Sequence, residues 1–251
     1  MLRIESLSRF FGGVAALEEL DLAVADGEVL GLIGPNGSGK TTLFNVITGV
    51  HAADAGRVVL RDADITRSTP AGIVRLGIAR TFQNLRIFQR MSVRDNVWVA
   101  QHSLPGVGPL GLLSNRSTAE RERRAEIDAL LDAVGLADRR DALAGSLPLP
   151  DQRRLELARA LARSPALLLL DEPAGGMTPA ETAEMAALIR DFAVPGRACI
   201  VIEHKLDLIS EVCQRLCVLN FGRKIADGEP DRVLQQPEVL EAYLGGDALN
   251  A

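Results

Sequence analysis

The 251-residue chain contains few aromatic residues: seven Phe, one Tyr and one Trp. Proteins that bind single-stranded nucleic acid stack successive bases on exposed aromatic rings, and this chain has too few rings for such a platform. The formal net charge is −5, so no positive field extends over the whole molecule. Short basic clusters, such as Arg121–Arg124, fit solvated helix faces better than nucleic-acid sites. We therefore expect no nucleic-acid partner.

Cysteine and long apolar runs are also scarce. Cys199, Cys213 and Cys217 lie in apolar contexts without Cys-x-x-Cys spacing, which predicts buried thiols in a reducing compartment. The strongest apolar run, Leu167–Leu170, is far shorter than the roughly 18–20 residues of a membrane span. No signal peptide opens the chain. We therefore expect a cytosolic protein that reaches any membrane only through a partner.

A glycine-rich loop lies between the apolar run Val29–Ile33 and a helix-like stretch, Thr41–Thr48. It fits the pattern G-x-x-x-x-G-K-[ST], in which backbone N–H groups and a helix N-terminus surround a phosphate. The lysine can reach the terminal phosphates, and the threonine after it can ligate Mg²⁺. The sequence therefore predicts a site for a nucleoside triphosphate with Mg²⁺. The loop residues are Gly34, Pro35, Asn36, Gly37, Ser38, Gly39, Lys40, Thr41 and Thr42.

Two acids, Asp171 and Glu172, follow the apolar run Leu167–Leu170. A carboxylate at the carboxyl end of a buried strand lies where open α/β sheets bind their ligands. We expect Asp171 to hold Mg²⁺, directly or through water. Glu172 is placed to orient or deprotonate an attacking water molecule, the general-base role.

Two further polar residues follow predicted strands, Gln83 after Ile78–Phe82 and His204 after Ile200–Glu203. Both therefore lie at the same sheet edge as Lys40 and Asp171. Gln83 could contact Mg²⁺ and the attacking water, and His204 could hydrogen-bond the γ-phosphate. Either residue alone would be an ordinary loop residue, but their common placement favours a shared site.

The apolar patterning predicts two kinds of strand. Leu2–Leu7 and Leu20–Val24 alternate apolar and polar residues, which is typical of half-exposed antiparallel strands. Continuous apolar runs instead predict strands that are buried on both faces of a sheet. These runs are Val29–Ile33, Ile78–Phe82, Ala166–Leu170 and Ala198–Ile202.

The region from about 84 to 164 is predicted to be helical and to interrupt the strand series. Its Gly/Pro/Ser-rich stretch, 103–118, favours a surface loop, and a helix is expected from Thr118 to about Val134. We therefore expect a single α/β domain, 1–251. Its core would comprise 1–83 and 165–251, with a helical subdomain, 84–164, inserted between them.

These motifs and their order resemble ABC-type ATPases over nearly the whole chain. The phosphate loop, Gln83, the Asp171–Glu172 pair and His204 match the Walker A, Q-loop, Walker B and H-loop. The resemblance implies an α/β P-loop ATPase core with an antiparallel β subdomain and an inserted helical subdomain. It also implies ATP and Mg²⁺ as cofactors, and head-to-tail dimers with two ATP molecules in the interface.

Phe11 matches the aromatic residue that stacks on adenine in this family, since stacking needs only a flat π-face. Its neighbour Phe10 could be confused with it, and a phenylalanine in the core is the structural alternative.

Finer segments resemble the ATPases of branched-chain amino-acid importers. Importers for urea or short amides, and lipopolysaccharide exporters, share several of them, and the long stretch at 103–118 favours the amino-acid group. The implied partners are transmembrane permease subunits and, indirectly, a solute-binding protein, with the chain on the inner face of the cell membrane. The segments are Arg80–Gln83, Met91–Val97, Ala100–His102, Gln152–Glu156 and Ala242–Gly245.

The chain departs from the family at its signature motif, which is normally Leu-Ser-Gly-Gly-Gln. In the family, the serine hydroxyl and glycine N–H groups reach the γ-phosphate held by the partner. Pro148 has no hydroxyl, and Pro150 has no N–H to donate. Asp151 can cap the helix that follows, but it brings a negative charge toward a phosphate. The segment reads Leu147, Pro148, Leu149, Pro150 and Asp151.

The D-loop, Gly175–Pro179, is altered too, with Thr178 where many relatives have Asp or Asn. Both departures would act in trans, on ATP held by the partner. A homodimer would have two impaired sites, whereas a heterodimer with an intact second ABC ATPase would keep one working site. We therefore favour the heterodimer. The residues that act on the chain's own nucleotide are unaltered: Lys40, Thr41, Gln83, Asp171, Glu172 and His204.

The sequence therefore predicts an ATP-hydrolysing subunit of a membrane importer, with branched-chain amino acids as the favoured solutes. A nucleotide-binding regulatory subunit with weak hydrolysis remains an alternative because of the altered signature. A soluble ABC ATPase that acts on DNA or ribosomes is disfavoured. Such proteins usually carry long coiled-coil insertions or two ATPase halves, and this chain has neither.

Overall fold

The computed structural model describes residues 1–101 and 116–247. The strands are β1 Leu2–Phe11, β2 Val14–Val24, β3 Val29–Ile33, β4 Ala55–Leu60, β5 Ala63–Asp64, β6 Ile78–Arg80, β7 Leu167–Asp171, β8 Ala198–Ile202, β9 Arg215–Asn220 and β10 Arg223–Gly228. The helices are α1 Lys40–Ile47, α2 Pro70–Arg75, α3 Val93–Gln101, α4 Arg116–Ala133, α5 Leu149–Leu161, α6 Pro179–Leu188, α7 Leu206–Val212, α8 Pro230–Val233 and α9 Pro237–Asp247. Short 3₁₀ turns occur at Ala137–Arg139 and Ala144–Ser146, and a π-helical turn at Ile189–Ala193.

The central sheet has the strand order β10-β9-β3-β8-β7-β6. Its strands pair in parallel except for β10, which runs antiparallel to β9. Every residue of β3, β7 and β8 is buried, as their continuous apolar runs predict. Because parallel strands end at a common edge, the phosphate loop, Glu172 and the segment before His204 leave the sheet side by side.

A second sheet is antiparallel and has the order β2-β1-β4-β5. Its pairing confirms the antiparallel strands predicted from the alternating N-terminal pattern. Leu2, Ile4 and Leu7 share one hydrophobic cluster with Phe44 of α1 and with Leu30 of the central sheet. The second sheet is therefore packed on the side of the central sheet that α1 covers.

Helices α3, α4 and α5 follow β6 in the chain and precede β7. They surround a hydrophobic cluster of their own, which includes Val93, Ile127 and Leu155. Helix α4 starts at Arg116, two residues before the predicted start at Thr118, and its sequence is rich in the helix formers Arg, Glu and Ala. Residues 116–118 of the predicted loop are thus helical, while 103–115 lie outside the described residues.

The predicted cap at Asp151 is wrong. Helix α5 begins at Leu149, with Pro148 as its flanking residue and no side-chain cap. Proline suits a helix start, because its φ is already helical and the N–H it lacks would have no partner in the first turn. Asp151 instead lies inside that turn, where its charge favours the positive end of the helix. Its Oδ1 is 3.9 Å from Arg154 Nη1.

Cys199, Cys213 and Cys217 are free and buried, which confirms the prediction of buried thiols. Burial raises the pKa of Cys213 and of Cys217 to about 12. Across 1–101 and 116–247, no helix has the length and apolar character that a membrane span requires.

Candidate nucleotide site

The phosphate loop joins β3 to α1 in a conformation that requires glycine at two positions. Gly34 has φ +146°, and a Cβ atom there would lie 2.1 Å from the carbonyl oxygen of Leu219. Gly39 has φ +107°, and a Cβ atom there would lie 2.4 Å from the carbonyl oxygen of Ala16. Neither position can therefore accept a side chain, and the loop is held in shape by the strands behind it.

Lys40 is folded over the loop that it ends. Its Nζ donates to the carbonyl oxygens of Gly34, at 2.7 Å, and of Pro35, at 2.9 Å. Burial lowers the pKa of Lys40, while the negative charges of Glu172 and Asp171 oppose that shift. The ammonium group therefore lies between the loop carbonyls and the two acids. A bound phosphate would replace its neutral carbonyl acceptors with a charged acceptor, which makes stronger hydrogen bonds.

Three predicted residues from three strand ends meet at one carboxylate. Glu172 Oε2 accepts from Gln83 Nε2 at 3.1 Å, and Glu172 Oε1 lies 3.1 Å from His204 Nε2. Glu172 adopts φ +49°, an uncommon backbone conformation for a residue other than glycine. The cavity above the loop is lined by Asn36, Gly37, Ser38, Gly39, Lys40, Thr41, Thr42, Gln83, Glu172, Ile202 and His204.

Asp171 is the last residue of β7, and it is bound from β6. Its Oδ2 accepts from Arg80 Nη2 at 2.7 Å, and its backbone N–H donates to Thr81 Oγ1 at 3.0 Å. Arg80 ends the neighbouring strand β6 and Thr81 follows it, so Asp171 is fixed at its backbone and at one carboxylate oxygen. The sequence prediction placed Asp171 at this edge but did not identify Arg80 as its partner.

The residues predicted to hold Mg²⁺ have the right chemistry for it. Thr41, Gln83 and Asp171 offer a hydroxyl, an amide oxygen and a carboxylate, which are the hard oxygen donors that Mg²⁺ prefers. The described residues contain no group of three or more His, Cys, Asp or Glu arranged around one point. A single carboxylate suits an ion that takes its remaining ligands from phosphates and water.

Phe11 stands at the end of β1 with 42% of its surface exposed, so it is not a core residue. Its ring meets His51 edge-on, with centroids 5.3 Å apart, and the Arg9 guanidinium lies 4.6 Å from its centroid. Phe10 is 44% exposed, so exposure does not distinguish the two rings. Neither ring belongs to the residues that line the cavity above the phosphate loop.

The altered signature segment lies away from that cavity and against the D-loop of the same chain. Leu147 is buried, whereas Leu149 is 38% exposed. A Cβ atom on Gly176 would lie 2.9 Å from Leu149 Cδ2, so the leucine side chain rests on the D-loop backbone. Thr178 caps α6 in a reciprocal capping box with Glu181. Its hydroxyl therefore has a structural partner within the chain.

Sequence reasoning missed a buried ion pair, Arg153 and Glu156, that hydrogen-bonds the backbone around Gln83. Arg153 donates to the carbonyl oxygens of Phe82, at 3.2 Å, and of Gln83, at 3.0 Å. Glu156 accepts from the N–H groups of Phe82, at 3.2 Å, and of Arg86, at 3.4 Å. Burial raises the pKa of Glu156 against the opposing effect of these N–H groups and of Arg153. The spacing of Arg153 and Glu156, three residues apart on α5, predicts that they can pair, but it does not indicate which backbone segment they bind.

Sequence reasoning also missed two residues beside His204 that hold the D-loop. Glu203 Oε1 accepts from the N–H of Ala174 at 2.9 Å. Lys205 Nζ donates to the carbonyl oxygen of Met177, at 2.7 Å, and to Thr182 Oγ1, at 2.8 Å. The segment that carries His204 therefore binds the backbone just before the D-loop, at Ala174, and within it, at Met177. No sequence pattern indicates this contact.

The parallel sheet, the glycine loop and the acids beyond it define a P-loop nucleotide-binding ATPase. A family model described as ABC transporter matches residues 17–175, and one described as branched-chain amino acid ATP-binding cassette transporter matches residues 223–248. The chain therefore belongs to the ABC transporter family, in which ATPase activity is general. This confirms the predicted fold class and reaction.

The chain is similar over its whole length to individual members of this family. The chain is 38% identical to the high-affinity branched-chain amino acid transport ATP-binding protein LivG of Escherichia coli (strain K12), over 98% of each chain. It is 37% identical to the corresponding protein BraF of Pseudomonas aeruginosa, again over 98% of each. The ADP conformation of MJ1267, an ATP-binding cassette of an ABC transporter, superposes with a TM-score of 0.86 at 35% identity over 98% of each chain.

Proposed function

We propose that this chain is the ATP-hydrolysing subunit of a membrane importer for branched-chain amino acids. The observation that carries the proposal is the convergence of Gln83, Glu172 and His204 at the phosphate loop. The likeness to LivG and BraF, and the match of residues 223–248 to the branched-chain cassette model, favour these solutes over urea, short amides or lipopolysaccharide.

ATP binding would use groups that are already in place. The loop N–H groups and the N-terminus of α1 hold the phosphates, and Lys40 turns its ammonium group from the loop carbonyls to the terminal phosphates. When bound, Mg²⁺ would neutralise charge on the β- and γ-phosphates. Thr41, Asp171 and Gln83 are the residues that would hold it. Phe11 would stack on the adenine.

Hydrolysis would depend on positioning and charge neutralisation. Glu172 orients the attacking water and accepts its proton, while Gln83 fixes one carboxylate oxygen. The side chain of His204 is 43% exposed, so its ring is free to turn from Glu172 toward the γ-phosphate. There it would stabilise the charge that develops as the γ-phosphoryl group is transferred from ADP to water.

We infer that the helical region 84–164 is a subdomain inserted into a core formed by 1–83 and 165–251. Its support is the separate hydrophobic cluster around Val93, Ile127 and Leu155. The Arg153–Glu156 pair would then connect this subdomain to the core segment that carries Gln83. A rigid-body movement of the helices would act directly on Gln83.

The proposed partners are a second ABC ATPase subunit, in a heterodimer, and transmembrane permease subunits. A groove between β6, α3 and α5 would receive a cytoplasmic loop of the permease. It offers apolar side chains from Val74 and Phe82 beside the guanidinium groups of Arg86 and Arg159. These contacts would hold the chain on the inner face of the cell membrane, with a solute-binding protein engaged only through the permease.

The test is reconstitution of the chain with the permease chains that co-purify with it. We expect ATP-dependent uptake of leucine, isoleucine or valine into vesicles, and loss of that uptake when this chain carries Glu172→Gln. Uptake of urea or an amide instead would overturn the solute assignment. ATPase and uptake rates that Glu172→Gln leaves unchanged would instead favour the regulatory alternative, in which hydrolysis occurs elsewhere in the complex.

A further inference from the structure

Arg80 contacts Asp171 at the nucleotide site, and the proposed mechanism gives it no role. We infer that it is a positioning residue for Asp171: it holds one carboxylate oxygen and leaves the other for the metal ion of the nucleotide complex. The inference rests on the proposed nucleotide site, because it concerns how this chain positions Asp171, the one acid among the metal ligands proposed above.

The Arg80–Asp171 pair is buried and close. Arg80 Nη2 lies 2.7 Å from Asp171 Oδ2, and the two side chains are 7% and 5% exposed. A buried carboxylate without a partner is strongly unfavourable, so Oδ2 will keep this donor. The carboxylate then cannot rotate freely about its χ2 angle. Oδ1 is the oxygen left for a metal ion.

Arg80 is itself fixed from two other elements of the site. Its Nη1 donates to Asn45 Oδ1 at 2.7 Å, on the helix α1 that begins at the phosphate loop. Its guanidinium carbon lies 5.3 Å from the ring centroid of Phe44 and 5.1 Å from that of Phe82. Phe82 is the residue before Gln83. One planar group thus links the three elements that carry the proposed metal ligands.

This arrangement differs from simple charge compensation. Partners that orient a metal-binding carboxylate typically contribute 10–100-fold to metal affinity. Arginine suits the task because its planar fork can donate to Asn45 and Asp171 at once, which a lysine ammonium on a flexible stem cannot do in the same geometry. Loss of Arg80 should therefore lower the affinity for the metal ion, while the affinity for nucleotide without metal should hardly change.

The experiment uses Mn²⁺ as a paramagnetic probe for Mg²⁺, in the full chain with Glu172→Gln to prevent turnover. Bound Mn²⁺ is measured by electron paramagnetic resonance in the presence of ATP, and binding of a fluorescent ATP analogue is measured in EDTA. We expect Arg80→Met to weaken Mn²⁺ binding by about 10–100-fold. Analogue binding without metal should change by less than about threefold, since the phosphate loop is untouched.

Arg86→Met is the matched control, because it removes the other guanidinium that stacks on Phe82, at 5.5 Å from its centroid. It should leave Mn²⁺ affinity unchanged, because the permease groove that Arg86 lines is not engaged in the isolated chain. Arg80→Lys is the second variant in case Arg80→Met does not fold: it keeps a positive charge near Asp171 but should still weaken Mn²⁺ binding by several-fold. Wild-type Mn²⁺ affinity in the folded Arg80 variants would overturn the inference. Failure of the parent chain to bind any ATP analogue would instead overturn the proposed nucleotide function.

Discussion

At the scale of single residues, Glu172 and Lys40 separate turnover from binding. Glu172 is held at both carboxylate oxygens by side chains from other strand ends. Glu172→Gln keeps a similar shape but cannot accept the proton of the attacking water. We expect the ATPase rate of the assembled transporter to fall by about 10²–10⁴-fold, with ATP affinity retained. A wild-type rate for this variant would show that Glu172 is not the general base.

Lys40→Ala serves as the comparison, because it should abolish ATP binding, whereas Glu172→Gln should abolish only turnover. The variant removes the ammonium group that faces the loop, so ATP binding itself should be lost. Equilibrium binding of a fluorescent ATP analogue measures both variants under the same conditions. Retained binding in Lys40→Ala would contradict the role of the phosphate loop.

The sequence was informative about residues wherever a strand end determines position. Gln83, Glu172 and His204 come from separate runs, and the rule that parallel strands end at one edge was enough to bring them together. The partner of Asp171 was not accessible in the same way. Arg80 lies 91 residues earlier and inside a predicted strand, so its choice depends on how β6 and β7 pack side by side.

At the scale of elements, α5 is tied to the Gln83 segment by a buried pair that can be tested by a double-mutant cycle. Arg153→Met would remove one of the two positive charges near the buried Glu156, leaving Arg159. It would also remove the donor to the Phe82 and Gln83 carbonyl oxygens. The change should lower the free energy of unfolding by about 3–5 kcal/mol. Arg153→Met with Glu156→Gln should cost less than the sum of the two single changes. Denaturant unfolding of the four proteins gives the coupling energy.

The neighbouring Arg154 provides the control on the same helix. It pairs with Glu184, whose side chain is largely exposed, so Arg154→Met should cost less than about 1 kcal/mol. The ATPase rate of the transporter should fall with Arg153→Met, because the carbonyl oxygen of Gln83 loses its donor. Equal and small effects at both arginines would show that the buried pair neither stabilises the fold nor positions Gln83.

Element boundaries were predicted less well than element types. Four of the five parallel strands, β3, β6, β7 and β8, were predicted from continuous apolar runs. The fifth, β9, was not predicted, although Leu216–Leu219 is also a buried apolar run. The start of α4 was misplaced by two residues and that of α5 by three, since Asp151 was predicted as the cap where Pro148 flanks the helix without a side-chain cap. The contacts of Lys205 and Glu203 with the D-loop join segments that are distant in sequence, and no local pattern encodes them.

At the scale of the whole molecule, the altered signature predicts a dependence on a partner. In a head-to-tail homodimer, Pro148 and Pro150 would stand opposite both γ-phosphates. The purified chain should therefore bind Mg²⁺–ATP but hydrolyse it poorly. Adding the second ATPase subunit should restore turnover. Steady-state ATPase measurements with and without that subunit test this, and robust turnover by the chain alone would contradict it.

The overall order of motifs predicted the fold class, but the relation between signature and D-loop needed the structure. The two segments are separated by β7 and about two dozen residues of chain, yet Leu149 rests on Gly176. The altered signature is therefore in contact with the loop that carries Thr178. A change at the signature will act on the D-loop as well, which any restoration experiment has to take into account.

Restoring a family-like signature tests directly whether the heterodimer has one working and one impaired ATP site. Pro148→Ser, Leu149→Gly, Pro150→Gly and Asp151→Gln together would return a hydroxyl and a backbone N–H to the surface that faces the partner. Each charge-assisted hydrogen bond gained contributes about 1.5–3 kcal/mol toward a bound phosphate. In the isolated chain we expect tighter ATP-dependent dimerisation and at least about tenfold faster hydrolysis, because about 1.4 kcal/mol corresponds to one decade in rate.

In the heterodimer the same restoration should act on the site of the partner and leave this chain's own site nearly unchanged. Glu172→Gln silences the latter, so the ATPase rate that remains in the assembled transporter reports the restored site. Asp151→Gln alone is the matched control: it removes the negative charge but returns neither the hydroxyl nor the N–H, so it should give only a small part of the gain. If the fourfold variant changes the rate in neither assembly, the prolines do not limit hydrolysis. The division into one working and one impaired site would then be wrong.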